Sequence, residues 1–167
     1  MNHQTKRCLI YSALYLLVLP AFAGSAQAAE CREPMYGTAL VDGDYGEWNL
    51  NTDFFVDMHH AWNKPTVLSK LYLRYDCAAN VMYVLVLTTN HDRTMETTAE
   101  EAWIIIDGGK AVDDTYQSFK WIDKMSNMAV GWEASFILDP GNHVIKAHSN
   151  VWWDNESQTS GTSDISL

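Results

Sequence analysis

Positive charge is in short supply in this chain. Eleven Lys and Arg stand against 21 Asp and Glu, for a formal net charge of −10. An anionic surface repels phosphate backbones and acidic headgroups. Nucleic acid is therefore not an expected partner, whereas cations, neutral sugars or a basic protein surface are. Cysteine is scarcer still, with Cys8, Cys31 and Cys77 the only three. None belongs to a C-x-x-C pair, so zinc-ribbon and dithiol redox readings lose their basis. The chain also lacks G-x-x-x-x-G-K, G-x-G-x-x-G, H-E-x-x-H and a nucleophile elbow. Asp113-Asp114 and Glu100-Glu101 are paired carboxylates only in sequence, and glycoside hydrolysis needs a pair that straddles a cleft. A non-enzymatic protein is the expectation.

Long apolar runs are missing as well, apart from Cys8 to Phe22 near the N-terminus. That run falls short of the roughly 20 residues that span a bilayer. Lys6 and Arg7 precede it, and Ala26-Gln27-Ala28 follows with a small-x-small pattern. Charge, apolar run and small residues in that order predict a cleaved signal peptide over residues 1–28. Ala21-Phe22-Ala23 offers an earlier cut, so the domain starts at Ala29 or Gly24. The mature chain, residues 29–167, is then a secreted or periplasmic single domain with no transmembrane segment. Cys31 and Cys77 remain, and an oxidising compartment predicts a disulfide between them. Closing that long loop is worth about 4 kcal/mol in the chain-entropy account.

What is present is β patterning. Leu71, Leu73 and Tyr75 alternate with Lys70, Tyr72 and Arg74, and Val81 to Leu87 is apolar on both faces. Ala78-Ala79-Asn80 between them predicts a hairpin. Ala102 to Ile106 reads as a strand closed by Asp107-Gly108-Gly109. Ser118 to Ile122, Met128 to Leu138 and His143 to Trp153 are further strands, with a turn at Pro140-Gly141-Asn142. Asn155 to Leu167 is rich in Ser, Thr and Gly and has little periodicity. Only Thr97 to Glu101 hints at a helical turn. Short strands at such spacing predict an all-β, antiparallel β-sandwich, jelly-roll or immunoglobulin-like.

Four motifs in order carry a resemblance. Val41-Asp42-Gly43 with Glu47-Trp48, Met82 to Val86, Ala102 to Asp107, and Gly131 to Leu138 resemble the successive strands of family 9 carbohydrate-binding-module-like domains, the wider DOMON-like group. The likeness spans about Val41 to Pro140. It implies a β-sandwich whose relatives bind sugars, haem or metal, usually without catalysis. Ser135 departs from the acidic residue often found at its position. Trp48, Trp103 and Trp132 fall in family-like strand positions and are expected in the core.

Four ligand chemistries follow. Seven tryptophans are present, and aromatic faces stack on sugar rings. Trp62, Trp121, Trp152 and Trp153 are the candidates for binding a glycan or cell-surface component. Asp42, Asp44 and Glu47 gather carboxylates in a glycine-containing turn, which suits a structural calcium. Glu47 stands where an EF-hand requires glycine, so that motif does not apply. His59 and His60 are the alternative, a copper or other transition-metal site. Neighbours on a regular strand point to opposite faces, so both can serve one metal only if the chain is irregular there. His91, His143 or His148 would complete the site. Haem, with Met58, Met82 or Met128 as ligand, is a further alternative.

Overall fold

A computed structural model of the chain describes residues 33–60, 66–89, 94–152 and 161–166. The expected signal peptide, Cys31, Trp62, His91 and Trp153 lie outside the described residues, as do the side chains of Trp152 and of residues 161–166.

In chain order the strands are β1 (Met35–Tyr36), β2 (Phe54–His59), β3 (Val67–Asp76), β4 (Val81–Thr88), β5 (Thr94–Glu96) and β6 (Ala102–Ile106). They continue with β7 (Gly109–Asp113), β8 (Phe119–Ile122), β9 (Met128–Ala129), β10 (Gly131–Ile137), β11 (Asn142–Ser149), β12 (Val151–Trp152) and β13 (Gly161–Ser166). The described residues contain no helix, and the protein is all-β. The segment expected as a helical turn is an irregular turn instead, with Glu100 in the left-handed region at φ 69°.

A six-stranded sheet runs β1-β3-β4-β10-β8, with β2 also on β3. A four-stranded sheet runs β13-β11-β6-β7, and a small third sheet runs β12-β5-β9. All pairings are antiparallel except β1 with β3, which is parallel. The edge of β3 is thus shared, with β2 along residues 67–72 and β1 at residues 74–75.

The alternation read in the sequence sets the layers. Leu71, Leu73 and Tyr75 of β3, Met82, Val84 and Val86 of β4, and Trp132 and Ala134 of β10 enter one core. From the smaller sheet Ile104, Val112, Ile145 and Ala147 enter the same core. Two layers of sheet over one apolar interior is consistent with a β-sandwich. The indole Nε1 of buried Trp132 donates to Ser149 Oγ at 2.7 Å, which joins β10 to β11 through the interior. At one end, Tyr75 Oη donates to the Leu138 carbonyl at 2.8 Å.

Two turns show why particular residues are needed. Asp107 and Gly108 both have positive φ, 50° and 83°, as the two-residue turn between β6 and β7 requires. A Cβ on Gly131 would lie 2.3 Å from the Val86 carbonyl oxygen, so only glycine lets β10 lie against β4 there. The tail expected to lack periodicity nevertheless forms β13. Its Gly, Ser and Asp carry little strand preference, and pairing with β11 over six register positions supplies the extended state.

Candidate functional site

The outer face of the six-stranded sheet carries a second, smaller core. Tyr72, Leu85, Leu87 and Ile122 point away from the main interior and pack with Ala39 and Trp48. Ala39 and Trp48 belong to the segment of residues 37–53 ahead of β2, which lies over this face as a cover. A loop used as a cover brings backbone N–H and C=O groups that no sheet ladder satisfies. Three charged side chains take up that task.

Arg74 on β3 is the first. Its guanidinium donates to the Thr38 carbonyl at 3.0 Å and to the Glu47 carbonyl at 2.8 Å. It also makes a two-nitrogen contact with Asp53 Oδ2, at 2.6 and 3.0 Å, and lies 5.0 Å from the Trp48 ring centroid. Asp53 in turn accepts from the Asn49 amide at 2.7 Å. Glu133 on β10 is the third. It sits between Trp132 and Ala134 yet faces the cover and is 0% exposed. Its Oε1 accepts the Asp42 and Gly43 amides at 2.6 and 2.5 Å, and its Oε2 has no hydrogen-bond partner. Burial pushes the Glu133 carboxyl above its ordinary range, and Glu47 and Asp42 nearby add to this. Gly43 takes φ 95°, and a Cβ there would come within 3.1 Å of the Trp121 carbonyl oxygen.

The three acids read as a calcium turn lie in this cover. Asp42 Oδ1 accepts from the Asp44 amide, Asp44 Oδ1 from the Gly46 amide, and Glu47 Oε1 from the Leu40 amide. They shape the loop through local turns. Among the described residues no group of three or more His, Cys, Asp or Glu is placed to hold a metal.

Beside the cover a groove of about 220 Å³ opens. Tyr45 and Leu50 form its loop side, and Lys70, Tyr72, Thr88 and Thr89 form its sheet side. The Lys70 ammonium is 5.5 Å from the Phe54 ring centroid, and Tyr72 meets Phe54 edge-on at 6.1 Å. Thr88 Oγ1 donates to the Val130 carbonyl at 3.1 Å, and Thr89 Oγ1 to the Leu68 carbonyl at 3.2 Å. Both hydroxyls are thus spent as donors and keep lone pairs to offer. Burial, with Asp57 adding to it, raises the Tyr72 phenol above its ordinary value, so it stays neutral. Among the described residues no carboxylate lines the groove.

The other expected ligand residues are dispersed. Trp121 is half-buried on β8, packed edge-on against Phe119 with centroids 5.0 Å apart and set against the main core. Trp48 and Trp132 are buried as expected, whereas Trp103 is only half-buried on the outer face of the smaller sheet. There it stacks on His148, its register partner, with centroids 4.6 Å apart and planes within 5°. Burial, with Lys146 adding to it, pushes the His148 imidazole down to about 4. His143 contacts Asp107 Oδ2 at 2.7 Å and the Asp139 carbonyl at 2.9 Å. Both ring nitrogens face acceptors, which favours the imidazolium, and the Asp107 hydrogen bond raises its pKa. His59 ends β2 and buried His60 follows it, with a register shift between Met58 and His59. Met58 and Met82 are wholly buried in the main core. Cys77 is exposed in the turn after β3 and carries no disulfide among the described residues. Asp114 accepts from the Glu100 amide, and Asp113 from Thr115 and Lys110, so the sequence-adjacent acids serve turns.

Neither Glu133 nor the groove was singled out from sequence. Glu133 alternates with two core residues, which places it opposite the core, but a single charge in an apolar strand does not reveal a cover. The groove is assembled from segments far apart in the chain.

Compared with protein-family models, with curated proteins and with solved structures, the chain matches none.

Proposed function

We propose that this protein is an exported, non-catalytic carbohydrate-binding module, a β-sandwich of the family 9 module-like kind with one disulfide between Cys31 and Cys77. The observation that supports the reading best is the groove beside the cover. It brings the Tyr45 ring and Leu50 together with one ammonium and two threonine hydroxyls, and among the described residues no acid lines it. A pyranose presents an apolar face and a rim of hydroxyls. Tyr45 and exposed Leu50 suit the first, and Lys70 with the Thr88 and Thr89 oxygens suits the second. At about 220 Å³ the groove takes one sugar unit, at a chain end or branch, rather than a long segment. Calcium, if bound, serves the fold of the Asp42–Glu47 turn rather than the sugar.

The test is a glycan array followed by titration calorimetry of the best binder. Tyr45→Ala and Lys70→Ala should each weaken binding at least tenfold with the thermal midpoint little changed. Undiminished binding in both variants would reject the groove as the site.

A second reading is a copper ion at His59 and His60. The extra residue of the nearby register shift is Leu68 on β3, however, and half-buried His59 and buried His60 keep the alternation of a regular strand, which disfavours a shared ion. Equal copper affinity in a His59→Ala, His60→Ala double variant would dispose of it.

A further inference from the structure

The turn between β8 and β9 carries a feature that neither reading uses. Met125 and Met128 face one another across a two-residue turn. Their backbones exchange both hydrogen bonds, Met125 N to Met128 O at 2.7 Å and Met128 N to Met125 O at 3.0 Å. Ser126, the first turn residue, has φ 57°, the left-handed value a tight hairpin turn needs there. Residues directly opposite in such a pair send their side chains to the same side, with Cα atoms about 5.5 Å apart. On its other edge Met128 pairs with Glu96 of β5. Glu96, Met128 and Met125 therefore form a row across three neighbouring segments, on one face.

Methionine in a core is a gap filler, but this pair fills no gap. Met125 is 73% exposed and Met128 45% exposed. Both line a cavity of about 520 Å³ whose rim includes Thr94, Asp123 and Lys124. The opposite charges of Asp123 and Lys124 offset each other, and Glu96 leaves the row anionic. Glu96 Oε2 accepts from Asn150 Nδ2 at 3.1 Å, which holds the carboxylate in place. Two thioethers at opposed positions of one hairpin, with a carboxylate at the next register position, form a donor set with a definite preference. Thioether sulfur selects soft monovalent ions, and hard cations such as calcium and magnesium pass it over.

We propose that the Met125–Met128 hairpin is a binding site for a soft monovalent metal ion, copper(I) or silver(I), with both Sδ atoms as ligands and Glu96 as the neighbouring charge. The site is separate from the groove and from His59 and His60, so neither reading above is needed for it.

The experiment uses the full mature chain oxidised to the Cys31–Cys77 disulfide, with any remaining free thiol blocked by N-ethylmaleimide, because a free Cys77 would itself bind such ions. Silver nitrate is titrated against the protein, with the ¹³C-labelled methionine methyl groups followed by NMR. The expected result is saturation at one equivalent, with two methyl signals shifting. Those signals should be absent from a Met125→Leu, Met128→Leu variant, and silver affinity should fall at least tenfold. Leucine keeps the apolar surface, so a role in packing or docking would survive this change. Zinc at the same concentration should leave both signals in place. Silver binding of unchanged strength in the double variant, or shifts confined to other methionines, would overturn the assignment. So would the absence of any methyl shift.

Discussion

The two main sheets finish their outer faces in different ways. The six-stranded sheet is covered by residues 37–53, and the charges beneath that cover bond to its backbone. Arg74 serves two carbonyls, Glu133 two amides and Asp53 one. On the four-stranded sheet the described polar side chains bond mostly to each other or to their own turns, with Asp107 also accepting the Val144 amide of β11. Lys110 and Thr115 both reach Asp113, and Trp103 lies on His148. A loop over a sheet leaves unpaired backbone groups next to apolar rings, and long charged side chains take the place of the missing ladder. A face finished by side chains needs no such anchors. Charge on the first face is therefore buried under a loop, whereas on the second the buried Asp113 carboxylate meets a Lys110 ammonium that is open to solvent.

The largest test of this contrast is Arg74→Ala. It strands the Asp53 carboxylate, which is 3% exposed, and unties two carbonyls of the cover. A loss of about 3–5 kcal/mol is expected in urea unfolding. A loss no greater than that of an ordinary surface variant would mean that apolar contacts alone hold the cover.

Acid should separate the two faces next. His148 titrates near 4 when folded and near 6.5 when free. Its contribution is complete above 6.5 and is lost as pH falls from there toward 4, up to roughly 3 kcal/mol by linkage. Glu133 runs the other way. Its folded value is raised above 4.5, so its contribution is complete below 4.5 and is lost as pH rises through the folded value. His148→Phe keeps the stack and should flatten the acid side of the stability profile. Glu133→Gln should gain on the wild type as pH rises. Parallel profiles for the wild type and both variants would show that neither group is coupled to folding.

Lys110→Ala is the smallest test. The ammonium is 41% exposed, so water and salt screen its pair with Asp113. The urea midpoint should stay within error at physiological salt. A clear loss would show that the smaller sheet also depends on anchored charge.

The strands with clean alternation were legible from sequence. The β3–β4 hairpin and the Asp107-Gly108 turn fall where periodicity and turn residues place them, whereas the single strands read over Met128 to Leu138 and His143 to Trp153 are each split, with β9 and β12 leaving for the third sheet. β2 was not legible, because the register shift between Phe54 and Val56 puts an extra residue, Phe55, into the strand and breaks its period of two. β13 owes its strand state to a partner distant in sequence, and propensity does not contain that information. The same holds for the candidate sites. A tryptophan count points to sugar but not to a place. The groove uses tyrosines, a lysine and threonines that converge only once the cover lies over β3 and β4. Met125 and Met128 are three residues apart, yet their shared face depends on a turn whose first residue is serine rather than the usual glycine.

The hydrogen bonds from Asp42 and Gly43 to Glu133 join residues 91 and 90 positions apart. During synthesis the cover therefore emerges long before its distal anchor. Until β10 has left the ribosome and paired with β4, this tie to Glu133 is missing, and the apolar patch of Tyr72, Leu85 and Leu87 lacks one of the two anchors of its cover. A nascent chain in that state presents the surface that holdase chaperones recognise, and contacts of such high sequence separation close late in folding.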